Sequence, residues 1–269
     1  MSTVQSKYEA LQRRLEEIAK KDCALAFSGG TDSTLLCCML KQAAAKQGTE
    51  LLVLLAKTAL HPLPDLRDAR EFCASHDLKL HEIELNELEV IEHNPKNRCY
   101  LCKRQIFMRL RQICKEHGVS QLIDGTNADD LKCYRPGLQA VKELHVLSPL
   151  ADLGFTKADV RACLTLLGLK AAEKPSSACL ATRFPYGTRL TPEKLAMAGK
   201  AEEALRALHF YNVRVRCYEP SLARIELNAD ELPRALELKQ EIIQAVKAAG
   251  LHYVTLDLEG FRSGSMDEI

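Results

Sequence analysis

The amino-acid sequence predicts an α/β fold: a doubly wound, mostly parallel sheet, followed by a small α+β domain. Three observations carry this prediction. Short apolar runs alternate with helix-periodic segments over about the first 165 residues. One run, Leu51–Leu55 (Leu-Leu-Val-Leu-Leu), is apolar at every position, the mark of a strand covered on both faces. Beyond a turn-rich stretch at 174–192, the pattern changes to two alternating segments joined by a short link and followed by a helix.

Residues 4–20 place Val4, Tyr8, Leu11, Leu15 and Ile18 on one face of a leading helix. Cys23–Phe27 is the first strand, and Thr34–Lys46 the helix after its loop. Leu51–Leu55 follows as the second strand. His61-Pro62-Leu63-Pro64 then breaks the chain, and Asp65–Asp77 reads as a helix. Leu78–Leu85 alternates as a third strand. Asn94-Pro95-Lys96-Asn97 is a loop before the helix Tyr100–His117. Gln121–Asp124 is a short strand ending in Gly125-Thr126-Asn127-Ala128-Asp129-Asp130. Pro136–Leu144 is a weaker helix, and Val146-Leu147 leads to Ser148-Pro149-Leu150. Thr156-Lys157-Ala158-Asp159 has the form of a capping box in front of Val160–Leu167. In the last part, Glu193–Leu208 is helical, and Asn212–Cys217 and Ala223–Leu227 alternate. The link Glu219-Pro220-Ser221 makes these two an antiparallel pair. Asp230–Ala249 reads as one long helix, with Pro233 in its first turn and Gly250 at its end, before His252–Leu258 alternates again. The expected boundaries are 1–173, 174–190 for a cysteine-bearing segment, and 191–269.

The chain has 269 residues and a formal charge of +1, so no global field recruits nucleic acid or an anionic membrane. No apolar run approaches the roughly 18 residues needed to cross a bilayer. The polar amphipathic N-terminus does not read as a signal peptide, and a cytoplasmic location is expected. Eleven cysteines, an odd number, argue against a disulfide framework. Cys37, Cys38, Cys73, Cys114 and Cys163 sit within helix-like apolar patterns and are assigned to packing.

In a parallel sheet, ligands sit at the carboxyl ends of the strands. The loops Ser28–Ser33, Lys57–Pro64 and Gly125–Asp130 all lie there, with Lys57 their basic candidate. In Ser28-Gly29-Gly30-Thr31-Asp32-Ser33 the glycines allow close backbone approach, and the following helix offers free N–H groups to an anion. Ser28, Thr31 and Ser33 add hydroxyls, and Asp32 can hold a metal against phosphates. No Gly-Lys-[Ser/Thr] follows, so this is not a Walker loop. It resembles instead the SGGxDS loop of the PP-loop ATP pyrophosphatases. Gly125, Asn127 and Asp129 in the second loop present acceptors for a ribose, an amine or Mg²⁺.

Cys99-Tyr100-Leu101-Cys102 puts two thiols on one face of a helix's first turn, where the dipole and Arg98, Lys103 and Arg104 favour thiolates. A structural zinc needs four ligands, and no second such pair follows. An iron–sulfur cluster on three cysteines leaves one iron open, and Cys179, outside any apolar pattern, is the obvious third ligand. Two packed helical cysteines with no ligand is the competing reading. Arg214 and Arg216, at alternate strand positions, can grip one phosphate together or form an ordinary solvated face. Glu203, Glu226, Asp230 and the ending Glu259–Ser265, with Arg262, can serve an active site or an oligomer interface, and periodicity does not choose between the two.

The two loops, Lys174-Pro175-Ser176-Ser177-Ala178-Cys179-Leu180-Ala181-Thr182-Arg183 with Pro185-Tyr186-Gly187-Thr188, and the ending Glu259–Ser265 together resemble the LarE family. These are the ATP-dependent sulfur transferases of nickel-pincer nucleotide cofactor synthesis. The resemblance implies that ATP, with Mg²⁺, adenylates a carboxylate of pyridinium-3,5-biscarboxylic acid mononucleotide, and that sulfur then displaces AMP. It implies nucleotide binding by Ser28–Ser33, Lys57, Gly125, Asn127 and Asp129, and substrate-phosphate binding by Lys103, Arg183, Arg214 and Arg216. Some members sacrifice the cysteine matching Cys179; others use a [4Fe–4S] cluster. Cys99 and Cys102 beside Cys179 make this chain resemble the second type. The implied partners are other proteins of that cofactor's synthesis and further copies of the chain, a hexamer or another homo-oligomer. A PP-loop tRNA thiolation enzyme and a non-catalytic nucleotide-binding protein are the rival readings.

Overall fold

Strands β1 (Cys23–Ala26), β2 (Leu51–Lys57), β3 (Leu80–Glu84) and β4 (Gln121–Ile123) form a parallel sheet in the order β3-β2-β1-β4. Ala24 stands opposite both Leu52 and Leu122. Leu147 extends the sheet by a parallel bridge to Ile123. These observations come from a computed structural model that describes residues 3–132, 136–175, 178–218, 221–262 and 264–266. The anticipated Glu219-Pro220 link and the motif residues Ser176, Ser177 and Ser263 lie outside the described residues.

Helices α1 (Thr3–Ile18), α2 (Thr31–Gln47) and α3 (Leu63–Ser75) come from the first part of the chain. They are followed by α4 (Leu88–Ile91), α5 (Arg98–Glu116), α6 (Gly137–Glu143), α7 (Pro149–Asp152) and α8 (Lys157–Leu166). The all-apolar β2 is explained by its two faces. Val53 and Leu55 join Leu11, Leu35, Leu66 and Leu164 in one core, while Leu52 and Leu54 join Phe107, Leu110 and Val141 in the other. The sheet is thus wound on both sides, as the alternation of elements predicts. Each fully buried leucine contributes roughly 1.5–3 kcal/mol. Gly48 ends α2 in the left-handed region, donating its N–H to the Ala44 carbonyl. The capping box of α8 is present: the Asp159 N–H donates to Thr156 Oγ1 at 3.2 Å, and the Thr156 N–H donates to Asp159 Oδ2 at 2.8 Å.

The chain divides into two compact units. The first comprises residues 1–58, 65–87 and 97–176; the second comprises 59–64, 88–96 and 177–269. The second unit carries α4, α9 (Pro192–Ala207), β5 (Arg214–Tyr218), β6 (Leu222–Glu226), α10 (Leu232–Glu237), α11 (Lys239–Ala248) and β7 (Tyr253–Leu256). Its sheet runs β5-β6-β7, with β5 and β6 antiparallel and β6 and β7 parallel. The single helix expected over Asp230–Ala249 is a 3₁₀ turn (Ala229–Glu231) followed by α10 and α11, separated at Leu238 (φ −91°, ψ 21°). Tertiary anchoring accounts for the break. The Arg234 guanidinium donates to the Leu208 carbonyl at 2.6 Å, capping α9, and lies 4.6 Å over the Phe210 ring. Among the described residues no helix is long and apolar enough to cross a membrane.

Candidate functional site

Two constellations carry the candidate chemistry, one in each unit. In the first, β1 hands over to α2 through Ser28-Gly29-Gly30. Gly29 has φ +69°, and a Cβ there would lie 2.9 Å from both the Ala69 Cβ and the Asp65 carbonyl, so only glycine fits. Ser33 Oγ donates to the Gly30 carbonyl at 3.1 Å and accepts the Ser28 N–H at 3.3 Å; the two serine hydroxyls are 3.2 Å apart. These bonds hold the turn at the N-terminus of α2, where backbone N–H groups lack intrahelical partners. The Thr31 hydroxyl is buried (4% residue exposure) and has no hydrogen-bond partner among the described residues. A buried hydroxyl without a protein partner is costly unless a ligand or water meets it.

The opposite wall comes from β4. Asp124, buried, accepts from Ser148 Oγ at 2.6 Å and Thr126 Oγ1 at 2.5 Å, which fixes the start of the loop. A Cβ on Gly125 would stand 3.1 Å from the Ser33 nitrogen and 3.2 Å from the Asp32 Cβ, so the glycine keeps that space clear. Asn127 Oδ1 accepts the N–H groups of Asp129 and Asp130 (2.9 and 3.2 Å), and its Nδ2 donates to Asp32 Oδ1 at 3.2 Å. The Asp129 carboxylate accepts the Lys157 N–H at 2.8 Å and pairs with Lys132 at 3.0 Å, and these hold it below the usual carboxylate range. The Lys157 ammonium itself pairs with Asp32. Asp32, beside Gly125 and next to Thr31 in the sequence, and Asp129 are oxygen donors of the kind Mg²⁺ takes, and that donor chemistry fits a magnesium nucleotide. Lys57, at the end of β2, pairs with the exposed Glu84 at 2.7 Å. The ammonium of Lys103, on α5, lies 3.9 Å from Asp124.

Burial sorts the cysteines. Cys23, Cys37, Cys73, Cys114, Cys163 and Cys217 are buried, whereas Cys99 is exposed and Cys38, Cys102 and Cys179 are half-buried. Burial pushes the thiols of Cys23, Cys73 and Cys114 up to about 11 and that of Cys217 to about 12. Burial also pushes Cys38 up. Cys99 and Cys102 stand in the first turn of α5, in the first unit, and Cys179 in the second. Within neither unit do three His, Cys, Asp or Glu side chains gather in metal-binding range among the described residues. Thiolates are the soft donors that iron–sulfur clusters take.

In the second unit, Cys179 opens the 3₁₀ turn Leu180–Arg183. Its carbonyl accepts from Thr182 Oγ1 at 2.8 Å and Arg183 Nη1 at 3.2 Å. Asn94, fully buried at φ +44°, donates to the carbonyls of Phe184 and Pro185, both at 2.9 Å, and so braces the end of the turn. Arg183 is not offered to a ligand. It is fully buried, its fork donates to Glu202 at 2.7 and 2.9 Å, and Nη1 donates to the Ala178 carbonyl at 2.9 Å. The expected phosphate contact of Arg183 is thereby replaced by a bidentate ion pair, because the second unit buries this side chain beside a carboxylate.

Arg214 and Arg216 share one face of β5. Arg216 Nη2 donates to Glu226 Oε2 at 2.7 Å and to Ser265 Oγ at 3.2 Å, which draws the C-terminal segment into the cluster. Arg214 stacks 5.1 Å from the Phe261 ring centroid. Burial, then the charge of Arg183, brings the Arg214 guanidinium down to about 10 against the pull of Glu202. Arg206 and Arg224 also pair into the two carboxylates Glu202 and Glu226. Among the described residues, the guanidinium groups of Arg183, Arg206, Arg214, Arg216 and Arg224 thus gather about the carboxylates of Glu202, Glu226 and Asp257. One acid of this cluster, Glu202, is the sequence neighbour of Glu203. Lys157, Asn94 and Glu202 carry no motif of their own; only Thr156-Lys157-Ala158-Asp159, legible as a cap, marked the neighbourhood of one of them.

A family profile described as a PP-loop domain matches residues 2–132. An uncharacterized protein of Synechocystis sp. is 39% identical over 99% of this chain and 98% of its own length. Pyridinium-3,5-bisthiocarboxylic acid mononucleotide synthase of Lactiplantibacillus plantarum is 33% identical over 100% of this chain and 96% of its own. Among solved structures, the NMN synthetase of Francisella tularensis superposes with a TM-score of 0.50 at 16% identity, covering 66% of this chain and 76% of that one. A glutamine-dependent NAD⁺ synthetase from Acinetobacter baumannii also gives 0.50 at 16% identity, covering 62% of this chain and 33% of its own.

Proposed function

Since this chain belongs to the LarE family, ATP-using sulfurtransferases of the PP-loop kind, we propose that it adenylates a carboxylate of pyridinium-3,5-biscarboxylic acid mononucleotide and converts it to the thiocarboxylate. The observation that carries the ATP half is the buried, partnerless Thr31 hydroxyl at the head of α2, between the Gly29 turn and the Gly125 gap. A substrate carboxylate oxygen attacks the α-phosphorus of ATP, and pyrophosphate leaves. Sulfur then attacks the carboxyl carbon, and AMP leaves with the electron pair of the broken C–O bond. The free N–H groups of α2 bind the phosphates. Asp32 and Asp129 are the ligands we assign to Mg²⁺, which neutralises phosphate charge. With Mg²⁺ on Asp32, the Lys157 ammonium that now pairs with it would serve the nucleotide phosphates.

Arg214 and Arg216 bind the substrate phosphate, supported by the guanidinium groups gathered around them. Lys103 is a further candidate for it. Arg183 and Glu202 hold the Cys179 loop in place. A [4Fe–4S] cluster held by Cys99, Cys102 and Cys179 would supply a bound sulfide as the nucleophile. One observation favours the alternative in which Cys179 gives up its own sulfur: among the described residues it is the sole thiol of the second unit that is not buried. The mononucleotide, the other proteins of that cofactor's synthesis and further copies of this chain are the partners on this reading, in the cytoplasm.

Incubation with ATP and the mononucleotide is expected to release AMP and pyrophosphate; ADP would refute the reading. Anaerobic reconstitution should load iron and sulfide into the wild type and not into Cys99→Ala. Equal loading of the two would remove Cys99 from the ligands. Loss of H₂S from Cys179 in the mass spectrum after one turnover would decide for the sacrificial route.

A further inference from the structure

We propose that Lys174 is a positioning residue of the nucleotide loop, fixing the Gly29–Gly30 peptide plane so that the Gly30 N–H faces the bound anion. This rests on the reading of the loop as an ATP site. A trans peptide is planar, so the carbonyl of Gly29 and the N–H of Gly30 point in opposite directions from one rigid plate. The Lys174 ammonium donates to the Gly29 carbonyl at 3.2 Å and pairs with Asp65 at 2.9 Å and Asp68 at 2.6 Å. Each of its three N–H bonds thereby has one acceptor, and the side chain is 17% exposed.

On the other side of the plate, the Gly30 N–H meets, among the described residues, only the Ser28 hydroxyl, at 3.4 Å. That is the side of the Ser28 and Ser33 hydroxyls. The long bond leaves the donor available, and the partnerless Thr31 hydroxyl beside it independently marks a place for a ligand. Gly29, at φ +69°, flanks the plate with no Cβ to resist its rotation. A clamp on the carbonyl is what keeps such a plate from turning. The clamp is itself rooted: Arg161 Nη2 donates to the Lys174 carbonyl at 2.6 Å. Lys174 also begins the segment that carries Cys179, five positions later in the sequence.

The test is calorimetric titration of inorganic pyrophosphate, with Mg²⁺, into the full-length wild type, Lys174→Met, Lys174→Arg and the double variant Asp65→Asn/Asp68→Asn. A misdirected N–H forfeits one hydrogen bond to a charged group, so Lys174→Met is expected to bind pyrophosphate about ten-fold more weakly or worse. Lys174→Arg, which still reaches the carbonyl, and the double variant, whose lysine still holds Gly29, are expected within about three-fold of wild type on the same scale. The loss in Lys174→Met should persist in high salt, where a through-space effect of the missing charge is screened. Folded Lys174→Met with wild-type pyrophosphate affinity overturns the inference and leaves the ATP reading standing. So does a loss that salt abolishes. If Lys174→Met does not fold, a ten-fold loss in the double variant overturns it instead. A wild type that binds neither pyrophosphate nor magnesium ATP overturns the inference together with the ATP reading.

Discussion

Glu87→Gln is expected to make the protein more stable at alkaline pH while leaving it unchanged in mild acid. Glu87 follows β3 and is 1% exposed. Its Oε1 has no partner among the described residues, and the Thr58 hydroxyl donates to the side chain. Burial raises its pKa from 4.5 to about 7, only partly opposed by its own backbone N–H and by Thr58. In the unfolded chain the carboxyl ionises near 4.5, whereas in the folded chain it keeps its proton to about 7. Between those values the folded state binds more protons, so stability is full below pH 4.5 and falls as pH rises toward 7. At 1.36 kcal/mol per pH unit, the displacement is worth about 3 kcal/mol. Glutamine is a neutral isostere and does not ionise. The difference in unfolding free energy between variant and wild type, from urea titrations at intervals from pH 4 to pH 8, should grow from near zero to about 3 kcal/mol. A difference that stays flat within about 1 kcal/mol across that range would show that the buried carboxyl does not control this slope.

Three further outcomes follow from the geometry. Glu202→Gln removes the charge that pairs with Arg183 and Arg206 in a fully buried setting and should cost about 3–5 kcal/mol in urea unfolding; under about 1 kcal/mol would refute the pair's role. Gly125→Ala places a methyl 3.1 Å from the Ser33 nitrogen and should weaken magnesium ATP about ten-fold with little change in thermal midpoint, checked by calorimetry beside a melting curve. Iodoacetamide on the native, cluster-free protein should label Cys99, Cys102 and Cys179 first, read by peptide mass mapping, while Cys23, Cys73, Cys114 and Cys217 wait for unfolding because burial holds them as thiols. Early labelling of Cys217 would contradict its burial.

The elements that local chemistry dictates were legible in the sequence. The all-apolar Leu51–Leu55 announced a strand with a core on each side, and the structure supplies both cores. Thr156 and Asp159 announced a helix start four residues ahead of Val160, and they cap it. Ser28–Ser33 and Gly125–Asp130 were readable because a turn that admits a phosphate needs glycine and short polar side chains whatever surrounds it. The break at Leu238 was not readable, since α10 is anchored by Arg234 to the end of α9, a contact that no helical period encodes.

The site divides in the same way. Residue type and spacing singled out Asp32 and the hydroxyls of the loop as candidates, and set Cys99, Cys102 and Cys179 apart from the cysteines in apolar helical patterns. Only the fold decided which charges meet. It brings Lys157 to Asp32 and Lys174 to the Gly29 carbonyl from 125 and 145 positions away. It also turns Arg183 from a candidate phosphate ligand into the partner of Glu202. An arginine looks the same in sequence whether it faces solvent or a buried carboxylate. Its role is set by which acceptors lie within reach once the chain has paid the entropy of closing those long loops.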